Sequence, residues 1–88
     1  MIEKMYVIHA PEGIHARPAT ALVKLTKQFK SVIHLKKGET LVRLNSLLNI
    51  LSLGARGGDT LSLLIEGEDE EHAAEVLDIF FTEQLKDL

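Results

Sequence analysis

The chain has 88 residues, of which 45% are hydrophobic and 26% are charged, and its formal net charge is −3. This length suits one small domain, which we predict to span residues 1–88. The lack of cysteine excludes disulfides and thiolate chemistry, and the net acidity disfavours a general affinity for nucleic acid. No signal peptide or membrane-spanning stretch is recognisable, so we expect a cytoplasmic protein that does not insert into membranes.

Apolar residues at helical or alternating spacing define the predicted elements. In chain order these are a strand at 2–8, a helix at 16–28, hairpin strands at 31–35 and 40–44, a short helix at 45–54, a strand at 60–67 and a helix at 68–85. Gly38 marks the hairpin turn. Asn45 or Ser46 caps the short helix, and Gly54 ends it.

This β-α-β-β-α-β-α order predicts an α+β fold. A four-stranded, largely antiparallel sheet with helices on one face is the economical way to bury the apolar stripes. The pattern does not determine the order of the strands, so a ferredoxin-like arrangement stays open at this point.

Charge is distributed unevenly along the chain. Residues 17–43 contain seven Lys/Arg and one acid, whereas residues 66–88 contain nine Asp/Glu and one base. We expect the positive segment to orient an acidic partner. We interpret the acidic segment, residues 66–88, as a solvated helix face.

His15 is the strongest candidate for chemistry. Gly13 permits a tight turn and Pro18 suits the first turn of a helix, which places His15 at or just before the N-cap. The backbone N–H groups of Ala16 and Arg17 would then point outward without helical partners and form an anion site at the positive end of the helix dipole.

The same dipole favours a neutral imidazole, which is itself a nucleophile and needs no second base. Phosphoryl transfer to His15, with Arg17 and the two amides holding the phosphoryl oxygens, is the chemistry that this arrangement suits. The plainer interpretation is that His15 is a mediocre cap and Arg17 a surface charge. His9, His34 and His72 lie on separate predicted elements without metal-ligand spacing, so we predict no metal site and no cofactor.

The short helix "LLNILSL" is apolar on more than one face. Ile50 and Leu53 can serve the core, but Leu47, Leu48 and Leu51 cannot all do so. We therefore expect an exposed apolar patch that docks partners, the alternative being a helix buried on two sides.

The segments "GIHARPAT", "NSLLNILSLG" and "EGEDEE" together resemble HPr, the histidine-containing phosphocarrier family of the bacterial phosphotransferase system. The resemblance implies an open-faced β-sandwich with strand order 1-4-2-3 and three helices on one side. It implies that His15 receives a phosphoryl group from enzyme I and passes it to sugar-specific IIA proteins, with Arg17 as its stabiliser. Ser46 matches the serine that a dedicated ATP-dependent kinase modifies in many Gram-positive bacteria.

The resemblance further implies a monomeric, stoichiometric carrier rather than a turnover enzyme. The expected partner-binding residues are Thr20, Lys24, Lys27, Leu47, Leu48 and Leu51. The expected partners are enzyme I and IIA proteins, with HPr kinase/phosphorylase and a catabolite-control transcription regulator as further partners.

Among the departures from the family pattern, two bear on phosphorylation. Glu12 replaces a small polar residue, and its carboxylate is expected to repel a phosphoryl group on His15. Asn45 replaces a lysine that often precedes the regulatory serine. These departures leave open a paralogue that serves a nitrogen-related or purely regulatory phosphorelay. A small ferredoxin-like ligand-binding regulatory module is the alternative from another class.

Overall fold

The computed structural model describes all 88 residues, and its elements follow the predicted order. They are β1 (Ile2–Val7), α1 (Ala16–Thr26), β2 (Val32–Lys37), β3 (Thr40–Arg43), α2 (Leu47–Ser52), β4 (Thr60–Glu66) and α3 (Glu70–Ile79). A π-helical turn, Phe80–Gln84, and a 3-10 turn, Leu85–Asp87, extend the last helix. None of the helices combines the length and the apolar character needed to span a membrane.

The four strands form one sheet in the order β1-β4-β2-β3, and every neighbouring pair is antiparallel. This is the order that the family resemblance implies. The sequence pattern alone could not give it, because alternation shows which face a residue takes but not which strand lies beside it.

All three helices cover the same face of the sheet. On β4, Leu61, Leu63 and Ile65 are fully buried, whereas Leu64 between them is only half-buried on the other face, as the alternation predicts. Leu22 of α1 and Leu77 of α3 belong to the same core and are also fully buried. Each such side chain stabilises the fold by about 1.5–3 kcal/mol, so these rows hold the helices on the sheet.

Several predicted boundaries need correction. The first helix ends at Thr26 rather than residue 28, where the Thr26 hydroxyl donates to the carbonyl of Leu44, the residue after β3, at 2.6 Å. The predicted helix at 45–54 is shorter and covers Leu47–Ser52. Strand ends differ from the predictions by at most two residues.

The last predicted helix, 68–85, is regular only over Glu70–Ile79 and then widens into the π-helical turn. Phe80 and Phe81 are adjacent in sequence, yet both are buried. The wider turn lets both rings reach the core, and Phe81 stacks on Tyr6 with ring centroids 4.9 Å apart.

β1 is tied to the C-terminal helix by a second contact of Tyr6. Its hydroxyl donates to Asp78 Oδ1 at 2.7 Å, and burial followed by this hydrogen bond raises the pKa of Tyr6. The contact places the C-terminal turns beside the loop that follows β1. That loop carries the candidate site.

The start of α3 is fastened to the start of β2 by one carboxylate. Asp69 accepts hydrogen bonds from the Lys30 amide at 2.8 Å, from the Ser31 amide at 2.9 Å and from the Ser31 hydroxyl. These bonds, led by that of the Ser31 hydroxyl, lower the pKa of Asp69. The ionised carboxylate is therefore the form that the folded chain prefers.

We expect Asp69→Asn to lower the thermal midpoint at neutral pH, because an amide nitrogen would face a donor where a carboxylate oxygen now accepts. A pKa lowered by folding contributes stability above the unfolded value, about 3.9, and this contribution is lost as pH falls through the folded value. The difference in midpoint between parent and variant should therefore shrink in acid.

Thermal unfolding followed by circular dichroism from neutral pH to below pH ~4 tests this expectation. Asp87→Asn is the matched control, because Asp87 is exposed and forms no ion pair. A gap between parent and Asp69→Asn that stays constant with pH would contradict the expectation.

Candidate functional site

His15 is the N-cap residue of α1, as the sequence predicts. Its backbone is extended, with φ −86° and ψ −171°, and its side chain makes no capping hydrogen bond. The His15 carbonyl accepts from the Ala19 amide at 3.0 Å, which closes the first helical turn. The imidazole is thus placed at the helix start while its ring stays available, with the side chain 35% exposed.

The amides beside His15 have no helical partners, as the sequence predicts. Neither the Ala16 nor the Arg17 N–H has an acceptor within the helix, and Pro18 has no N–H to offer. Arg17 is exposed and forms no ion pair, so its guanidinium is free for an anion. The two amides and the positive end of the dipole lie at the helix start beside His15, and Arg17 follows two residues further along the chain.

The loop that carries His15 rests on the segment between α2 and β4. The Ile14 amide donates to the Ala55 carbonyl at 3.1 Å, and Ile14 is buried. Gly13 has φ +66°, and a Cβ there would collide with the Ala55 carbonyl oxygen and the Arg56 backbone. Only glycine fits both the left-handed conformation and this close approach.

That supporting segment is itself fixed. Lys37 Nζ donates to the Gly54 carbonyl at 2.8 Å and lies 3.1 Å from Asp59 Oδ2. The Arg56 amide donates to Asp59 at 2.8 Å, and this bond, followed by the contact with Lys37, lowers the pKa of Asp59. The sequence gave no sign of this support, because it joins residues from three separate stretches of the chain.

The imidazole has one charged neighbour. Glu12 Oε2 lies 3.3 Å from His15 Nε2, and the Glu12 side chain is 78% exposed. Both line a cleft of about 270 Å³ that also contains Lys86. Sequence reasoning singled out Glu12 for its charge but missed its contact with the ring, and it missed Lys86 altogether, because the folding of the C-terminal turns against this loop is a long-range event.

Three further polar residues on α1 and at its C-cap share a face with Arg17. Thr20, Lys24 and Lys27 follow it at helical spacing, and all are exposed. Neither lysine forms an ion pair, and the Thr20 hydroxyl donates to the Ala16 carbonyl at 2.8 Å. This row, called here the basic face, presents charge that no acid of the chain neutralises.

α2 packs beside α1 and exposes part of its apolar surface. Ile50 is fully buried, whereas the exposed fractions are 39% for Leu47, 78% for Leu48 and 37% for Leu51. The exposure that the sequence predicts for these leucines is therefore present. Leu47, Leu48 and Leu51 are called here the leucine patch, and it neighbours the basic face.

Ser46, not Asn45, is the N-cap of α2. Its hydroxyl oxygen accepts from the Asn49 amide at 3.4 Å. The Asn45 side chain instead accepts from Asn49 Nδ2 at 3.5 Å, so the alternative in which Asn45 caps the helix is wrong. The Ser46 oxygen lies at the helix start, directly before the leucine patch.

The other three histidines lie apart from this site. His9 and His72 are exposed, and His72 meets the edge of Phe29 with ring centroids 5.5 Å apart. His34 lies on the uncovered face of the sheet, opposite Leu64. No three His, Asp or Glu side chains gather in a way that could hold a metal ion.

Comparison with known proteins agrees with this geometry. The family model described as "PTS HPr component phosphorylation site" matches residues 2–83. The chain is 40% identical over 83 residues to phosphocarrier protein HPr of Buchnera aphidicola, covering 94% of this chain and 98% of the relative. It is 33% identical over 84 residues to HPr-like protein Crh of Halalkalibacterium halodurans, covering 96% and 100%.

A solved structure gives the same result. The crystal structure of HPr-C-His from Thermoanaerobacter tengcongensis superposes with a TM-score of 0.87 at 36% identity, covering 92% of this chain and 91% of that one. The fold, the relatives and the family's named phosphorylation site converge on one conclusion. The chain belongs to the HPr family, the phosphocarrier proteins of the phosphotransferase system.

Proposed function

We propose that this protein carries phosphoryl groups in the phosphoenolpyruvate-dependent sugar phosphotransferase system, accepting them on His15 from enzyme I and passing them to IIA proteins. The observation that carries this proposal is the half-exposed His15 ring at the N-cap of α1, with no capping bond of its own, beside unpartnered amides. Such a ring can attack a phosphoryl group that the helix start holds in place.

Phosphoryl transfer to His15 needs only a few groups of the protein. A ring nitrogen lone pair attacks phosphorus, an N–P bond forms, and the bond from phosphorus to the donor breaks with its electron pair leaving on the donor. The Ala16 and Arg17 amides and the Arg17 guanidinium stabilise the phosphoryl oxygens throughout. Passing the group to a IIA protein reverses these steps, so the protein acts as a stoichiometric cytoplasmic carrier rather than as an enzyme.

Partners would dock across the leucine patch and the basic face. An apolar patch beside unneutralised positive charge suits a partner with an apolar groove and an acidic rim. Because the basic face begins two residues after His15 and α2 packs beside α1, one docking mode would serve enzyme I and IIA proteins alike. HPr kinase/phosphorylase and a catabolite-control transcription regulator would act at Ser46, at the edge of the same surface.

A regulatory carrier is the second candidate, and the 33% identity to an HPr-like protein named Crh favours it. Such a paralogue would keep the fold and serve a regulatory relay instead of sugar uptake. Incubating the phosphorylated protein with a set of IIA proteins separates the two, because a sugar carrier loses its phosphoryl group to at least one of them. Family membership leaves no support for the ferredoxin-like ligand-binding module.

The first prediction concerns the nucleophile. His15→Ala should fold normally yet gain no phosphoryl group from enzyme I and phosphoenolpyruvate, because no other histidine is the N-cap residue of a helix. Intact mass measurement detects the adduct. His9→Ala is the control and should still be phosphorylated, whereas an adduct on His9, His34 or His72 would contradict the assignment.

The second prediction concerns docking. Leu48→Glu should weaken binding to enzyme I by about tenfold or more, equivalent to ~1.4 kcal/mol, since it places an acid in the apolar contact. Thermal stability should hardly change, because Leu48 is 78% exposed. Titration calorimetry measures the binding, and raising the salt concentration should weaken that of the parent.

Leu41→Glu is the matched control for this experiment. Leu41 is 54% exposed and, paired with Lys36, lies on the uncovered face of the sheet. This variant should bind enzyme I as the parent does. Equal losses in both variants would show that net charge, not the leucine patch, governs binding.

The third prediction concerns Ser46. Ser46→Asp should be at least as stable as the parent, because an aspartate caps a helix as well as serine and its charge suits the positive dipole end. Phosphorylation by enzyme I should nevertheless slow, since the added charge lies beside the leucine patch and repels an acidic partner. Quenched time courses measure the rate of phosphorylation by enzyme I, and thermal melts measure the stability.

Ser46→Ala separates the cap from the charge. It should lose about 1 kcal/mol of stability with the cap but keep a normal transfer rate. A Ser46→Asp variant that is clearly destabilised while it transfers normally would mean that Ser46 is a structural cap only.

A further inference from the structure

The face of the sheet opposite the helices, called here the open face, is uncovered and partly apolar. On it Met5 is 67% exposed, Leu41 54% and Val7 48%. Leu64 and His34, on the two central strands, are half-buried between them. A hollow of about 210 Å³ lies beside Leu41. Apolar side chains gathered on one uncovered face indicate an interaction surface.

One row of residues across the open face is charged oppositely at its two ends. The strand pairing places Glu3, Leu64, His34 and Arg43 side by side on β1, β4, β2 and β3. Neighbouring strands are about 4.8 Å apart, so roughly 14 Å of sheet separates the acid from the base. Both are exposed, and neither forms an ion pair within the chain.

We propose that the open face binds the open face of a second copy of this chain, about a two-fold axis that runs parallel to the strands, midway between β4 and β2. Rotation about this axis reverses the row, so Glu3 of each copy faces Arg43 of the other. Leu64 of each copy then faces His34 of the other. An axis across the strands through this row would oppose Glu3 to Glu3 and Arg43 to Arg43, so the charges favour the first arrangement.

The next row across the open face fits the same axis. It holds Met5, Ser62, Lys36 and Leu41, so Met5 of each copy faces Leu41 of the other. The unbranched methionine side chain suits the hollow beside Leu41. Lys36 would face Ser62 of the other copy, whose hydroxyl can accept a hydrogen bond from the ammonium group. Glu66, at the end of β4, is exposed and belongs to a polar rim.

The expected association is weak and leaves the proposed phosphoryl site free. Four strands of this length present roughly 400 Å² per copy, about half of what each partner buries in a stable complex. We therefore expect pairing near millimolar concentration and monomers in dilute solution. The basic face and the leucine patch lie on helices that cover the other face of the sheet, so self-association is independent of the proposed function.

Dilution tests whether the open face associates. Backbone amide NMR spectra of the isotope-labelled parent are recorded from millimolar to low micromolar concentration. The signals of Met5, Leu41 and Leu64 should shift on dilution, whereas those of the exposed side of α1 should stay in place. Translational diffusion measured on the same samples should become faster as the dimer dissociates.

Two charge reversals test the arrangement. Glu3→Arg and Arg43→Glu should each weaken self-association about tenfold, because either change puts two like-charged pairs into the interface. Mixing labelled Glu3→Arg with unlabelled Arg43→Glu should restore the association, since both facing pairs of the mixed dimer again carry opposite charges. Glu75→Arg makes the same charge change on the exposed side of α3 and should associate as the parent does.

Recovery of association in the mixture, with thermal melts showing that both variants are folded, supports the proposal. A parent whose spectrum and diffusion do not change with dilution overturns it and leaves the open face to a different protein. A mixture that associates no better than its components overturns it as well. Dilution shifts confined to β1 and insensitive to Arg43→Glu would mean that two copies pair through their edge strands, which is also contrary to the proposal.

Discussion

The close approach of Gly13 to the Ala55 carbonyl is the constraint on which the site depends. It presses the loop after β1 onto the segment before β4, which Lys37 and Asp59 fix in turn. Because this support is rigid, α1 starts at a defined place and His15 becomes its N-cap. The position of the imidazole is thus set by backbone packing, and its ring needs no structural contact of its own.

His15 differs from an ordinary N-cap residue because its side chain makes no capping hydrogen bond. A serine or aspartate in its place would accept a hydrogen bond from a first-turn amide, as Ser46 accepts from the Asn49 amide at the start of α2. His15 leaves the Ala16 and Arg17 amides open, which sacrifices a capping bond of about 1 kcal/mol. That loss of stability is small compared with the free energy gained by burying the core, so the fold tolerates unpartnered amides at this helix start.

Sequence reasoning succeeded where the determinants are local. Alternation gave the buried row of β4, and helical spacing separated Ile50 from the exposed Leu48. It failed where distant segments meet: the strand order, the support under Gly13 and the contact of Lys86 with the cleft all join remote stretches. The sequence pattern also could not show that Ser46 rather than Asn45 is the N-cap of α2. Both residue types cap equally well, and only the backbone path decides between them.

The charges near the site follow a similar rule: some basic residues are paired within the chain, and others stay unpaired and available to a partner. Lys4, Lys30 and Lys37 each lie near an acid of the chain, whereas Arg17, Lys24 and Lys27 on the basic face do not. On the proposed docking mode, unpaired cations next to the leucine patch would orient an approaching acidic surface before any apolar contact forms. A carrier must also release each partner after transfer, and a small patch with exposed, screened charges favours rapid dissociation over tight binding. If partners dock as proposed, the six-residue helix that exposes the leucines would limit the affinity as well as provide it.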